Sequence, residues 1–421
     1  MDKFIIKGPT PLKGTIPISG SKNAALPIMA AALLADDVVT ITNIPRLKDI
    51  YTFNNVIRVL GAKVDFDEDQ NKITIDPTTV GHLEAPYDLV RKMRASFYML
   101  GALVGKHGSA KVSLPGGCAW GPRPVDLHLK GMEAMGIDIS LEKGYVIAKA
   151  DETLKGGKFR LEPSSVGATV NLLLASVLKA EEFVIENAAR EPDVVQLCRV
   201  LTQMGADIEG IGTDTLRIRK VDSLSGAEIS NDPDRIELGT FMIAGAMIPG
   251  SDLTLTGGNP EHLGEFTNKL RKTGARIEVE EDTIRVKAPD QLKPVSIKAE
   301  IYPGFPTDLQ AQWATMLTQA EGDSKVTDNV YFDRFSYVPE LVRLGGELDV
   351  EKNTVHISGK TPLTGASVMS TDLRASVSLV LAAMAAENTT EVLRIYHLDR
   401  GYESLEKKLN AVGAHLKRVD D

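Results

Sequence analysis

Six short segments, each a glycine set among apolar residues, recur along the chain at nearly equal intervals. They read Leu60-Gly61-Ala62-Lys63-Val64, Met135-Gly136-Ile137-Asp138-Ile139, Met204-Gly205-Ala206-Asp207-Ile208, Thr273-Gly274-Ala275-Arg276-Ile277, Leu344-Gly345-Gly346-Glu347-Leu348 and Val412-Gly413-Ala414-His415-Leu416. Successive glycines lie 75, 69, 69, 71 and 68 residues apart, so six units account for all 421 residues. This period is longer than that of solenoid repeats, so each unit is expected to be a small α/β module.

The pattern within a unit is clearest near the C-terminus. Alternation in Thr354-Val355-His356-Ile357-Ser358-Gly359 and again in Gly365-Ala366-Ser367-Val368-Met369 predicts two strands paired as a hairpin. A strongly apolar helix follows over residues 373–386, then a strand over 391–395, then an amphipathic helix over 402–412 that ends at the repeated glycine. Glycine there suits a left-handed helix C-cap. The first helix of a unit, as in residues 23–34, 170–178 and 373–384, is apolar on nearly every side. Such a helix is buried on every side. The expected fold is therefore a two-domain inside-out α/β barrel, three repeats per domain, with buried helices wrapped by strands and amphipathic helices.

The phase of the repeat predicts how the chain closes. The strand after the last glycine, residues 414–419, has no successor, and Phe4-Ile5-Ile6-Lys7 has no predecessor. Pairing the two makes one domain discontinuous. The expected division is residues 22–231, carrying a cysteine-bearing loop, and residues 1–21 with 232–421, with the active site in the cleft between them. Ser230-Asn231-Asp232-Pro233 suits a linker.

Charge and composition exclude several function classes. A net charge of −9 argues against nucleic acid or an anionic membrane as the main partner. Two cysteines give no disulfide framework, which fits a reducing cytoplasm. The N-terminus lacks a signal-peptide pattern. The longest apolar run, residues 24–35, contains Pro27 and falls short of the roughly 18 residues a membrane span needs.

Candidate chemistry collects in two kinds of place. The first is Pro115-Gly116-Gly117-Cys118-Ala119-Trp120-Gly121-Pro122-Arg123-Pro124-Val125-Asp126, a loop too rich in Gly and Pro to lie inside a packed element. A guanidinium at Arg123 favours thiolate at Cys118 and can grip an anion. Cys198, in a helical pattern, reads as core. The second is the starts of the apolar helices: Ser21-Lys22-Asn23, Arg91-Lys92-Met93-Arg94, Ser165-Val166-Gly167-Ala168, Asp234-Arg235, Thr307-Asp308 and Thr371-Asp372-Leu373-Arg374. Helix N-termini bind phosphate or carboxylate. Ser21 and Thr371 read as ordinary N-caps. Lys22, Arg94 and Arg374 oppose the helix dipole and point to an anionic ligand. No dinucleotide fingerprint, Walker A spacing or metal-ligand histidine pair is present, so no metal site is expected. His128 could pair with Cys118, but a hydrogen-bonded structural histidine is the safer reading.

These segments together resemble the UDP-N-acetylglucosamine enolpyruvyl transferase family over the whole chain. The marks are Gly20-Ser21-Lys22-Asn23-Ala24-Ala25, Met93-Arg94-Ala95-Ser96, the loop at 115–126, Asn187-Ala188-Ala189-Arg190-Glu191-Pro192, Asp234-Arg235-Ile236-Glu237, Phe305-Pro306-Thr307-Asp308, Thr371-Asp372-Leu373-Arg374-Ala375-Ser376 and Asp399-Arg400-Gly401-Tyr402-Glu403. The resemblance implies transfer of the enolpyruvyl group of phosphoenolpyruvate to the 3-hydroxyl of UDP-N-acetylglucosamine, the first committed step of peptidoglycan synthesis, without a cofactor. It gives Lys22, Arg123 and Arg400, with Arg94 and Arg374, to phosphoenolpyruvate. Cys118 is implied as the acid and Asp308 as the base. Asn23 would bind the sugar and intermediate, and Asp126, Ser165, Val166, Gly167 and Val330 the uridine diphosphate and sugar. Pro163 stands where some relatives have a basic residue, and Phe332 where some have an acid. The expected form is a monomer in the cytoplasm. The alternatives are a 3-phosphoshikimate 1-carboxyvinyltransferase and a non-catalytic UDP-sugar-binding regulator.

Overall fold

The computed structural model describes residues 2–91, 93–115 and 125–420. All six repeated glycines take left-handed backbone angles, with φ between 95° and 113°. Each stands at the end of an amphipathic helix: Lys48–Val59, Asp126–Met135, Pro192–Gln203, Gly264–Lys272, Val338–Arg343 and Leu405–Ala411. A side chain with a Cβ rarely adopts such angles, which is why the repeat is written in glycine.

The chain divides into two compact units, Gly20–Asp232 and Met1–Ser19 with Pro233–Asp421. Among the described residues each unit contains three four-stranded sheets. No sheet closes into a barrel among the described residues; the expected barrel is realised as open sheets around buried helices. One repeat shows the plan. Strand Leu154–Arg160 leads through the buried helix Val166–Ser176 to the parallel strand Ala180–Glu186. The amphipathic helix Pro192–Gln203 then leads to two antiparallel strands, Asp207–Glu209 and Thr215–Arg219, the latter beside Ala180–Glu186. Parallel neighbours need a crossover, and the apolar helix supplies it.

The hairpin expected between residues 354–359 and 365–369 does not form. Thr354–Ile357 pairs with Leu348–Glu351 and with Ser324–Asp328, whereas Ser367–Met369 joins another sheet beside Asn388–Leu393. The Leu348–Glu351 pairing needs only the two-residue turn Lys352-Asn353, with Lys352 at φ 55°. The longer connection over 358–366 carries the chain to the next repeat instead. Lys3–Gly8 lies between Asn388–Leu393 and Leu416–Val419, antiparallel to both.

The apolar helices are as buried as their composition requires. Residues 24–31, 236–247 and 374–384 are all buried. In the Gly20–Asp232 unit, Met99–His107 and Val166–Ser176 pack closely against each other. A Cβ at Gly101 would lie 2.4 Å from the Asn171 carbonyl oxygen, and one at Gly105 2.2 Å from that of Leu174. Glycine is what permits this approach. No helix among the described residues is long and apolar enough to cross a membrane.

Candidate active site

In the discontinuous unit the chemistry gathers around Asp308. It lies in the one-turn segment Thr307–Leu309, directly before the buried helix Gln310–Leu317. Arg334 Nη1 approaches Asp308 Oδ1 to 2.8 Å, and Arg374 Nη2 approaches Oδ2 to 3.1 Å. Both arginines are about 5% exposed, while the Asp308 side chain keeps 28% of its surface open. Burial pushes the Asp308 carboxyl up, but Arg374 and Arg334 outweigh it and hold the group well below the usual carboxylate range. The result is an ionised acid, flanked by two cations and still accessible.

The surroundings are built for this arrangement. Asp372, not Thr371, caps the helix Leu373–Ala385, accepting from the Arg374 and Ala375 amides at 2.8 and 3.1 Å. Its carboxylate reaches the amides directly, while the Thr371 hydroxyl lies 2.8 Å from that of Ser336. Buried Asp328 accepts from the amides of Val330 and Tyr331 and from the Thr307 hydroxyl. It thereby ties the Val330 turn to the segment carrying Asp308. Arg400 ends the segment Ile395–Arg400 and is half-buried; burial lowers the pKa of nearby His397, and Arg400 adds to the effect.

In the Gly20–Asp232 unit, Ser21 caps the helix Lys22–Ala31 through the Ala24 amide, and its hydroxyl donates to Asp193 at 2.9 Å. Lys22 opens that helix and meets Asp49 Oδ2 at 3.1 Å, with side-chain exposures of 12% and 5%. Asn23 beside it is half-buried. Ser165 caps Val166–Ser176 through the Ala168 amide, leaving Val166 and Gly167 in the first turn, half-buried. Arg94 starts the segment Arg94–Tyr98 that leads into the next buried helix. Asp126 opens its helix and pairs with Lys130 at 3.3 Å.

His128 is the structural histidine. Its Nδ1 lies 2.8 Å from the Asn171 side-chain nitrogen, which also donates to the Phe97 carbonyl. Burial pushes its pKa down to about 3, with a further push from Arg94. Cys118 and Arg123 lie outside the described residues, as does any pairing of Cys118 with His128. Cys198 is buried, and its burial raises the thiol to about 12.

The structure thus brings Asp308 and Arg374 together, and places Lys22 beside a carboxylate that sequence reading did not single out. Arg334, Asp49 and Asp328 were missed because no local pattern marks them; each is recognised by its partner. Lys22 and Arg374, read as cations awaiting an anionic ligand, each already have a protein carboxylate. Among the described residues, no group of three or more His, Cys, Asp or Glu is arranged to hold a metal ion.

Among the described residues, four-stranded sheets around apolar helices, with two arginines on the Asp308 carboxylate, describe a class. A family model described as EPSP synthase (3-phosphoshikimate 1-carboxyvinyltransferase) matches residues 6–409. The crystal structure of the enolpyruvyl transferase NikO from Streptomyces tendae is similar with a TM-score of 0.90, at 28% identity, over 99% of both chains. A UDP-N-acetylglucosamine 1-carboxyvinyltransferase of Chloroherpeton thalassium is 52% identical over 99% of this chain and 97% of its own. One of Chlorobaculum parvum is 50% identical over 99% and 98%. The chain belongs to the EPSP synthase family and, within it, to the UDP-N-acetylglucosamine 1-carboxyvinyltransferases.

Proposed function

We propose that the protein transfers the enolpyruvyl group of phosphoenolpyruvate to the 3-hydroxyl of UDP-N-acetylglucosamine and releases phosphate, the committing step toward peptidoglycan, as a monomer in the cytoplasm. The observation that carries this reading is full-length identity of about half with transferases of that name.

The chemistry fits the residues. The sugar oxygen forms a bond to C2 of phosphoenolpyruvate while its proton passes to a base and another proton reaches C3. The adduct is a ketal phosphate. Loss of a C3 proton then breaks the C2–O bond to phosphate and restores the double bond. Phosphoenolpyruvate is highly anionic, and Lys22, Arg94, Arg123, Arg374 and Arg400 are assigned to it. Asn23, Asp126, Ser165, Val166, Gly167 and Val330 are assigned to the sugar nucleotide, the Ser165 helix start offering amides to its diphosphate.

Cys118 is assigned as the acid that protonates C3, because a thiol has a movable pKa. Asp308 is assigned as the base. Its two arginines keep it ionised and hence able to accept a proton, but they also make it a weak base. A bound anion that shares those arginines weakens their hold and raises its basicity, so base strength would rise when substrate is present.

The test is phosphate release from phosphoenolpyruvate with UDP-N-acetylglucosamine or with shikimate 3-phosphate as acceptor. Release with the sugar nucleotide alone is expected. Release only with shikimate 3-phosphate, or with neither, overturns the reading.

A further inference from the structure

The Asp308–Arg374 pair rests on a third group for which the reaction has no direct use. Arg374 sits in the first turn of Leu373–Ala385, where the helix dipole disfavours a cation. Its guanidinium is held at two points. Nη2 donates to Asp308 Oδ2 at 3.1 Å, and Nη1 donates to the Tyr402 hydroxyl at 3.2 Å. Tyr402 is 2% exposed and Arg374 5%.

The direction of every bond around that hydroxyl can be worked out. Thr240 Oγ1 donates to the Ile236 carbonyl at 2.8 Å, so its one proton is used. At the 2.9 Å contact between Thr240 and Tyr402, the tyrosine must therefore donate. That leaves the phenol oxygen's lone pairs for Arg374. Gln312 Nε2 gives its two protons to the nearer acceptors, the Asp308 carbonyl at 3.0 Å and Thr240 Oγ1 at 3.2 Å, which closes a ring from Tyr402 through Thr240 back to Asp308. Burial raises the Tyr402 pKa, so the phenol keeps the proton this scheme requires.

We propose that Tyr402 is a positioning residue: its hydroxyl fixes the Arg374 guanidinium so that Nη2 is delivered to Asp308. The inference rests on Asp308 acting in the proposed reaction, but its geometric part stands without it. Removing the hydroxyl leaves a buried N–H of Arg374 without this partner. The guanidinium then turns to recover one, and its grip on Asp308 loosens. The charged groups facing Asp308 are Arg374, Arg334 and Arg235, and those acting on Tyr402 are Arg374 and Asp234. Weakening one arginine raises the Asp308 pKa.

The experiment uses Tyr402→Phe, which deletes one oxygen and keeps the ring. Two readouts are taken on the full chain. The first is the titration of Asp308 by carboxyl-carbon NMR of protein labelled in aspartate, assigned with Asp308→Asn. The wild-type signal is expected to stay that of the ionised carboxylate to the lowest pH at which the protein remains folded, and the Tyr402→Phe signal to begin titrating at higher pH. The second is steady-state phosphate release. A misplaced catalytic group is expected to lower kcat about ten- to a hundredfold, with KM for UDP-N-acetylglucosamine within about twofold because Arg374 is not among the residues assigned to the sugar nucleotide. Thr240→Val, which removes the acceptor of the tyrosine proton and of one Gln312 N–H, should shift Asp308 the same way by less, and it carries the test if Tyr402→Phe does not fold. A variant that melts lower yet keeps the wild-type Asp308 titration shows a merely structural hydroxyl and overturns the proposal. A wild type that releases no phosphate overturns the functional reading alone, since the titration still decides the positioning role.

Discussion

Alkylation tests the burial of Cys198, and the structure sets the size of its protection. Cys198 lies in the helix Pro192–Gln203 with 1% of its surface exposed. Burial moves its pKa from 9.0 to about 12. At any pH below both values, a rise of three units leaves about a thousandfold less thiolate, the reactive form. A more basic thiolate is also a better nucleophile, which recovers about fifteen- to thirtyfold of that loss. The net electrostatic protection is roughly thirty- to sixtyfold, before lack of access is counted. Iodoacetamide at pH 7.5, followed by peptide mapping, should label Cys118 and spare Cys198 in the native protein. The epoxide fosfomycin, an alkylator of the family's loop cysteine, should add one equivalent on Cys118. In urea both thiols should react, at similar rates. Equal labelling of Cys198 in native and unfolded protein would refute the argument, because burial would then offer it no protection.

Gly61→Ala and Gly413→Ala both place an L residue at φ 101°, which costs about 1–2 kcal/mol. At Gly61 the new Cβ would also lie 2.8 Å from the Thr79 carbonyl oxygen, whereas at Gly413 the nearest atom is 3.7 Å away. Gly61→Ala should lower the urea midpoint more, and equal losses would show that the backbone around Gly61 yields freely. His128 gives a pH dependence. Its pKa is about 3 folded against an ordinary 6.5, so the unfolded chain takes up the proton first. Its share of stability is complete above pH 6.5 and is lost as pH falls toward 3, about 2 kcal/mol of it between pH 7 and 5. Wild type should therefore lose more stability than His128→Gln over that interval in matched urea titrations; identical losses would place the folded imidazole in water-like surroundings.

What sequence reading could reach was set by distance along the chain. The glycine repeat and the apolar helices are patterns within a few residues, and both mark real elements: left-handed helix ends and fully buried helices. Caps are local too, yet the cap before Arg374 falls one residue from the threonine expected, because Asp372 offers two acceptor oxygens that reach two amides. Strand pairing is not local. The alternation in 354–359 is genuine, but alternation gives the faces of a strand and not its partner. The Asp308 site fails to show for the same reason. Arg374 is 66 residues from Asp308, and Tyr402 lies 28 beyond Arg374. Nothing in the spacing of Asp308, Arg334, Arg374 and Tyr402 announces that they meet.

The two units solve one electrostatic problem in the same way. Each carries a cation in the first turn of a buried helix, Lys22 in one and Arg374 in the other, where dipole and burial both oppose it. Each holds that cation with a carboxylate from another element, Asp49 at 3.1 Å and Asp308 at 3.1 Å. The partners differ in what else acts on them. Asp49 lies in the first turn of Lys48–Val59, where the dipole favours an acid. Asp308 instead has a second arginine and an open face. An anion arriving beside Lys22 meets a cation already paired with a carboxylate at a helix start. One arriving beside Arg374 competes with a carboxylate that can take up a proton once its cations are shared. In the proposed reaction the first pair would serve binding and the second proton transfer, although both consist of a basic residue and an aspartate at the same separation.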